Sequence, residues 1–263
     1  MAKAEVSAQK LVETGAHFGH QMRRWNPRMK EFLYKVQDNT FIFDLIKTKS
    51  MLEEALEFMS TESKKGKKIL FVGTKKQIKE PIMELAKATN NYYIVERWLG
   101  GMFTNFDQIK KSLHKMEDMK KKLASGEYAS YTKKERLLIS RDIEKLERMI
   151  GGLAGMEKLP DIVFIVDTHK EETAVSESRR LKVPVVGIVD SNGDADVIDY
   201  PIPMNDDASQ AVTYILDLVK ETLSEKAPVK VVKSEKAKAP KTEKTEKPEK
   251  VEKAPKKAKK AVK

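Results

Sequence analysis

A short segment near the amino terminus, residues 15–28, concentrates side chains that bind polyanions. It contains two histidines, three arginines and two aromatic rings, and a lysine follows closely. Guanidinium groups pair with phosphates in a fork-like geometry, and flat rings stack on unpaired bases. Core packing of the two rings is an equally good interpretation. The pattern predicts a nucleic-acid contact made by His17, Phe18, His20, Arg23, Arg24, Trp25, Arg28 and Lys30.

A metal site at the two histidines is the main alternative for this segment. His17 and His20 would share a helix face, but Gly19 between them opposes a helix, and no acidic pair lies nearby. The chain has no cysteine, which also excludes disulfides, thiolate zinc sites and thiol catalysis. We therefore predict no metal.

The turn at residues 73–77 is a second candidate site, because it follows an apolar run and begins a predicted helix. In open α/β sheets, ligands bind at the carboxyl ends of the strands, where the N–H groups of a helix start attract anions. Lys75 and Lys76 are therefore predicted to contact phosphate. A solvated pair of charges is the alternative.

Residues 97–105 form a third candidate, built around a pair of glycines. Glycine allows the backbone to approach another surface closely. Arg97, Trp98 and Asn105 flank the pair and are predicted to contact nucleic acid. A tight turn with Trp98 in the core is the alternative, and the two interpretations are compatible.

An acidic loop at residues 190–196 begins like a calcium-binding loop but lacks two of its defining residues. Ala195 stands where the glycine is needed and Pro201 where the final glutamate is needed. A solvated turn is favoured over a loosely held magnesium ion. Because carboxylates repel phosphates, this loop is not expected to be the main RNA-binding face.

The sequence lacks the patterns of nucleotide-binding enzymes. The glycine spacing of dinucleotide sites, the phosphate-binding loop of NTPases and the serine elbow of hydrolases are missing. We therefore predict no catalytic residue, no cofactor and no small-molecule substrate. A nucleotide-binding enzyme that uses the turn at 73–77 remains the rival hypothesis.

The elements that position these candidates alternate between short apolar runs and amphipathic stretches. Such alternation predicts a parallel sheet between two helical layers, a three-layer α/β domain. The predicted strands are residues 69–72, 92–95, 161–166 and 185–189, and the predicted helices are residues 44–62, 78–88, 171–181 and 207–223.

Residues 105–153 interrupt this alternation with two stretches of helical periodicity around a turn at 125–128. Thr132 with Glu135, and Asn105 with Gln108, have the spacing of a capping box. We predict an antiparallel coiled-coil arm. The α/β domain then comprises residues 1–104 and 154–225; two ordinary surface helices are the alternative to the arm.

The net charge of +11 is concentrated at the carboxyl terminus. Residues 226–263 hold 15 lysines and 5 glutamates, so the first 225 residues have 36 basic and 35 acidic side chains. This composition predicts a disordered tail, which either attracts polyanions or only solubilises the chain. A polyanion binder driven by the tail is a further rival hypothesis. Neither a signal peptide nor a membrane span is expected.

Motifs spread in order over residues 7–223 resemble the bacterial form of small-subunit ribosomal protein two. Those that carry the resemblance are residues 15–20, 25–27, 69–75, 97–102, 104–105, 159–161, 188–192, 202–203 and 205–208. Met204, Ala195 and Ser178 depart from the family pattern, so the resemblance does not determine the loop geometry near 190–205.

The resemblance implies a flavodoxin-like domain with an inserted coiled-coil arm and no catalytic activity. It also implies a cytoplasmic protein of the ribosome, on the solvent side of the small subunit between head and body. The expected partners are small-subunit ribosomal RNA and neighbouring proteins, including the large first protein, which it would help to dock. The lysine-rich tail is not part of the resemblance.

Overall fold

The computed structural model of the protein describes residues 6–224, which belong to one compact unit. The tail expected at 226–263 lies outside the described residues. The helices are α1 (Ala8–Glu13), α2 (Leu45–Lys64), α3 (Lys79–Ala88), α4 (Phe106–Ala124), α5 (Lys133–Ile150), α6 (Glu172–Arg180) and α7 (Ser209–Ser224). The strands are β1 (Phe18–Gln21), β2 (Leu33–Gln37), β3 (Thr40–Phe43), β4 (Ile69–Val72), β5 (Tyr92–Ile94), β6 (Ile162–Val166), β7 (Val185–Val189) and β8 (Tyr200–Pro203).

The last five strands form a parallel sheet in the order β5-β4-β6-β7-β8. Numbered along the chain, this order is 2-1-3-4-5, which is the flavodoxin-like order of doubly wound sheets. All residues of β4, β6 and β7 are buried, as their continuous apolar runs predicted. The parallel α/β prediction is confirmed.

The sheet separates two hydrophobic clusters, so the domain has three layers. Side chains of α1, α2, α3 and α7 pack on one face. The other face is covered by α6, by residues 29–43 and by the ends of α4 and α5 that join the domain. Gly73 at the end of β4 is required by this packing, because a Cβ there would lie 2.3 Å from the Cδ1 of Ile82.

The first three strands form a separate antiparallel sheet, in the order β1-β3-β2, which the sequence analysis did not predict. Asp38 and Asn39 connect β2 to β3 with φ angles of 49° and 61°. Two consecutive left-handed residues are typical of the tight hairpin turn whose twist matches that of the strands. This small sheet holds the amino-terminal candidate segment.

Helices α4 and α5 occupy the region where an arm was predicted, and they contact each other. The capping box of Thr132 and Glu135 is confirmed. The one predicted at Asn105 is wrong, because the Asn105 side chain makes no capping hydrogen bond. Leu113, Met116, Ile143 and Ile150 are the buried residues of the pair. The element bounds agree with an arm at 105–153, whereas its coiled-coil geometry stays a prediction.

Candidate nucleic-acid interface

The amino-terminal segment presents its cations on two short 3-10 turns, Met22–Arg24 and Pro27–Phe32. Asn26 caps the second turn by accepting a hydrogen bond from the Arg28 N–H at 3.1 Å, and Pro27 fits the first position. Met29 and Phe32 are buried and fix the turn to the domain. The exposed cations of the two turns are Arg23, Arg24, Arg28 and Lys30.

These four cations differ in how far their charge is already compensated. Within residues 6–224, Arg23, Arg24 and Lys30 form no ion pair. Arg28 pairs with Asp194 and lies 3.6 Å from a carboxylate oxygen of Asp196. An unpaired exposed arginine can neutralise a phosphate without first losing a partner. The interface therefore has its strongest free positive charge at the first turn.

The acidic loop at residues 190–196 contacts this segment. The His20 N–H donates to Ser191 Oγ at 2.7 Å, and the Asn26 N–H donates to the Ser191 carbonyl at 2.7 Å. Together with the Arg28 pairs, these bonds attach residues 20–28 to the carboxyl end of β7. These contacts join residues more than 160 positions apart, and the expectation that the loop is not the main RNA-binding face stays a prediction.

His20 is oriented by carboxylates on both ring nitrogens. Its Nδ1 lies 3.1 Å from Asp190 Oδ1, and its Nε2 lies 3.6 Å from Asp207 Oδ2. The hydrogen bond to Asp190 raises the pKa of His20 against the opposing effect of burial. His20 therefore links the small sheet to the acidic residues of the large one.

The three rings of the segment have different surroundings. Phe18 is 48% exposed and contacts the ring of His17. The Nδ1 of His17 is buried without a hydrogen-bond partner, and burial lowers the pKa of its imidazole. Trp25 is half-buried against Phe41. Phe18 is thus the most accessible ring for stacking on a base.

Lys75, a predicted phosphate contact, is held by carboxylates of the protein itself. Its Nζ lies 2.8 Å from Asp206, 2.7 Å from Asp207 and 3.2 Å from Asp167. Burial would lower the pKa of this amine, but the carboxylates reverse the effect and raise it. Because its charge is compensated internally, the geometry argues against Lys75 as a phosphate ligand.

Asp206 is the most perturbed carboxyl group of this cluster. Its side chain is 2% exposed, and burial together with the nearby carboxylates of Asp167 and Asp190 raises its pKa to about 8, although Lys75 acts in the opposite direction. A carboxyl group that keeps its proton near neutral pH reduces the negative charge at this edge of the sheet.

The remaining predicted contacts divide between the surface and the core. Lys76, Arg97 and Asn105 are exposed. Trp98 is 5% exposed, packs edge-on against Phe103 and donates its Nε1–H to Glu177. Its ring is not accessible to a base, so the expectation that Trp98 contacts RNA is corrected in favour of core packing.

Two of the three candidate regions lie on the same face of the sheet. Met29 and Phe32 of the amino-terminal segment belong to the same buried cluster as Trp98 and Phe103 of the 97–105 region. The amino-terminal segment also meets the turn at residues 73–77, because Asp207 pairs with both His20 and Lys75. The turn with Lys75 and Lys76 lies at the carboxyl end of β4.

Several residues that organise this interface were missed by sequence reasoning. Asp190, Ser191, Asp206 and Glu177 act through contacts with residues more than 70 positions away. A sequence shows spacing along the chain but not such long-range pairing. The one available signal was the position of Asp167 and Asp190 directly after predicted buried strands, where a charge needs a partner.

Two other kinds of site are absent from residues 6–224. No group of three or more His, Cys, Asp or Glu side chains there is arranged to hold a metal ion. None of the helices described is both long and apolar enough to cross a bilayer.

Comparison with known proteins gives one family. A profile described as ribosomal protein S2 matches residues 11–226. The small ribosomal subunit protein uS2 of Agrobacterium fabrum is 47% identical over 219 residues, 83% of this chain and 86% of the relative. That of Mycobacteroides abscessus is 43% identical over 222 residues, 84% of this chain and 80% of the relative. That of Azorhizobium caulinodans is 45% identical and longer, with 66% of its length covered. The match spans most of the chain at this identity, and the protein therefore belongs to the ribosomal protein S2 family.

Proposed function

We propose that this protein binds ribosomal RNA through a few exposed basic side chains on one face of its α/β domain. Family membership makes it a structural protein of the small ribosomal subunit, located with the ribosome in the cytoplasm, and not an enzyme. The proposal concerns how it is held there. The residues assigned to RNA contact are His17, Phe18, His20, Arg23, Arg24, Trp25, Arg28, Lys30, Lys76, Arg97 and Asn105.

The uncompensated charge of Arg23 and Arg24 carries the proposal. The two guanidinium groups are exposed, adjacent and without an ion pair in the described part of the chain, whereas Lys75 and Arg28 are paired with carboxylates. Phosphate contacts position a protein on RNA, and their strength depends on charge that is available for neutralisation. The buried residues Met29 and Phe32 anchor the turns and limit the entropy lost on binding.

A charge reversal with a matched control tests this proposal. Arg23→Glu with Arg24→Glu is expected to reduce incorporation into small subunits by at least about tenfold at physiological salt. Arg179→Glu with Arg180→Glu is the matched control, because it reverses another exposed arginine pair, at the end of α6. Occupancy of the first double variant equal to that of the wild type would refute the proposed interface.

We propose further that the protein lies between head and body on the solvent side and helps to dock the first protein of the subunit. The outer part of the arm supports a docking role. Residues 120–141 hold seven basic and two acidic side chains, and four large apolar side chains there are 44–51% exposed, Leu123, Tyr131, Leu137 and Leu138. Exposed aliphatic side chains gain more from a protein surface than from an RNA backbone.

Leucine substitutions at the arm test the docking role separately. Leu137→Ser with Leu138→Ser is expected to lower the amount of the first protein on purified subunits, while this chain remains at one copy per subunit. Lys134→Ser with Lys145→Ser, at two exposed positions of α5, is the control. Unchanged first protein on the double-serine subunits would rule out this part of the arm as its docking surface.

A further inference from the structure

Glu177 is a buried acidic residue whose hydrogen-bond donors, within residues 6–224, all belong to one short segment. It lies in the middle of α6 and is 8% exposed. Its Oε1 accepts from the Gly101 N–H at 2.7 Å and from Trp98 Nε1 at 3.3 Å. Its Oε2 accepts from the N–H groups of Phe103 and Thr104, at 2.9 and 3.1 Å. With the Thr104 hydroxyl, which donates to Oε2 at 3.4 Å, five donors from residues 98–104 converge on one carboxylate.

No cation accompanies this carboxylate among the described residues, so neutral donors alone stabilise the charge. Burial would raise the pKa of Glu177, but the backbone hydrogen bonds from Phe103, Gly101 and Thr104 outweigh it, and the pKa is lowered. A buried charge without such bonds would cost several kcal/mol. The segment therefore has to keep its conformation for the charge to remain satisfied.

The donating segment is the connection from the sheet to the arm. It leaves the domain after β5 and ends at Asn105, directly before α4 begins at Phe106. Gly101 has a φ of +88°, a conformation that side chains disfavour, and this turn lets successive N–H groups point to the same acceptor. Trp98 and Phe103 pack against each other beneath it, edge to face at 4.9 Å.

We propose that Glu177 is a positioning residue: it fixes residues 98–104, which connect β5 to the arm. It thereby holds Arg97 and Asn105 in place. These two exposed residues directly flank the donors, so rigidity of residues 98–104 determines where they point. The part of the inference that concerns Arg97 and Asn105 rests on the proposed RNA contact. The part that concerns the arm does not.

The substitution Glu177→Gln is the sharpest test, because it keeps the side-chain volume while removing the charge and turning one oxygen into a donor. Glu172→Gln is the matched control, since Glu172 is exposed on the same helix. The chain lacks cysteine, so the exposed positions Lys87→Cys on α3 and Lys121→Cys on the arm accept spin labels without background. The full chain, free of RNA, carries the labels.

Glu177→Gln is expected to broaden the distribution of distances between the two labels. It should also speed amide exchange at Gly101, Phe103 and Thr104 by about tenfold or more. The control variant keeps the wild-type distribution. A lower melting temperature with an unchanged distribution would mean that Glu177 only stabilises the core, and would overturn the inference. Because RNA is absent, that result would leave the proposed function standing.

A second variant covers the case in which Glu177→Gln does not fold. Trp98→Phe removes one donor and keeps an aromatic ring in the core. It is expected to broaden the same distribution by less than Glu177→Gln would and to leave exchange in α7 unchanged. An unaltered distribution in this variant would also overturn the inference. Loss of subunit incorporation in Arg23→Glu with Arg24→Glu remains the separate test of RNA binding.

Discussion

The amine of Lys75 lies 2.8 Å from a carboxylate oxygen of Asp206, although the two residues are 131 positions apart. This contact joins the end of β4 to the loop before α7, at the point where the strand order of the sheet reverses. In doubly wound folds this is the usual place for a ligand. Here a lysine and three aspartates occupy it, so the anion-binding position of the fold is filled by the protein's own side chains.

Removal of Lys75 is therefore expected to affect stability rather than RNA binding. Lys75→Met leaves Asp167 and Asp207 without their shared cation and Asp206 without its hydrogen-bond donor. It should lower the free energy of unfolding by about 2–4 kcal/mol. Urea denaturation measures the change, and filter binding to small-subunit RNA should stay within about twofold. A stable variant with strongly weakened RNA binding would show that Lys75 does contact RNA.

Stability is expected to decrease as the pH rises towards 8. The folded protein keeps a proton on Asp206 up to about pH 8, whereas the unfolded chain releases it near the ordinary value of 3.8. His20, whose pKa is raised, acts in the same direction above its ordinary value of 6.5. Since the folded state binds more protons, the free energy of unfolding falls with rising pH.

The variant Asp206→Asn checks this assignment. Its free energy of unfolding should depend less on pH between 5 and 8.5 than that of the wild type, because the amide does not titrate. Asp217→Asn on the exposed side of α7 is the control and should preserve the slope. A slope in Asp206→Asn identical to that of the wild type would show that the proton is held elsewhere.

The pairing of Arg28 predicts unequal contributions of neighbouring arginines to RNA binding. Arg24→Ala should reduce the slope of log affinity against log salt by about 0.7–0.9, the loss of one phosphate contact. Arg28→Ala should reduce it by less, because Asp194 and Asp196 already compensate that charge. Titration of RNA at several salt concentrations measures both slopes. Equal reductions would show that the acidic loop releases Arg28 on binding.

The amino end of α5 gives a prediction about the arm alone. Thr132 Oγ1 accepts from the Glu135 N–H, and the Glu135 side chain accepts from the Thr132 N–H at 2.9 Å. Thr132→Ala removes one half of this capping box and should destabilise the helix by about 1 kcal/mol. Hydrogen exchange should accelerate over residues 133–138 and not in β6. Equal protection in both proteins would mean that arm packing, not the cap, holds this end.

Sequence alone was sufficient for those elements whose pattern is local. The apolar runs of β4, β6 and β7 and the periodicity of α4 and α5 predicted the parallel sheet and the two helices. Strand β8 was missed because it contains Pro201 and Pro203, which an edge strand tolerates and a central strand does not. Strand β2 was missed because its residues are mostly exposed and lack a buried alternation.

The candidate site was predicted only in part, because its exposed cations are visible in sequence and their partners are not. Arg23 and Arg24 stand out by type and spacing. Nothing in the sequence shows that Lys75 and Arg28 are paired with carboxylates, or that Trp98 donates to Glu177. These contacts depend on which loops the sheet brings together, and therefore they depend on the strand order.

The most direct test is reconstitution of the chain shortened to residues 1–225 into small subunits that lack this protein. Residues 1–225 carry almost no net charge, so their binding has to depend on local clusters. We predict that the shortened chain co-sediments at one copy per subunit, as the full chain does, and that adding Arg23→Glu and Arg24→Glu abolishes this. If instead the shortened chain fails to bind while residues 226–263 alone reach the subunit, the account is contradicted.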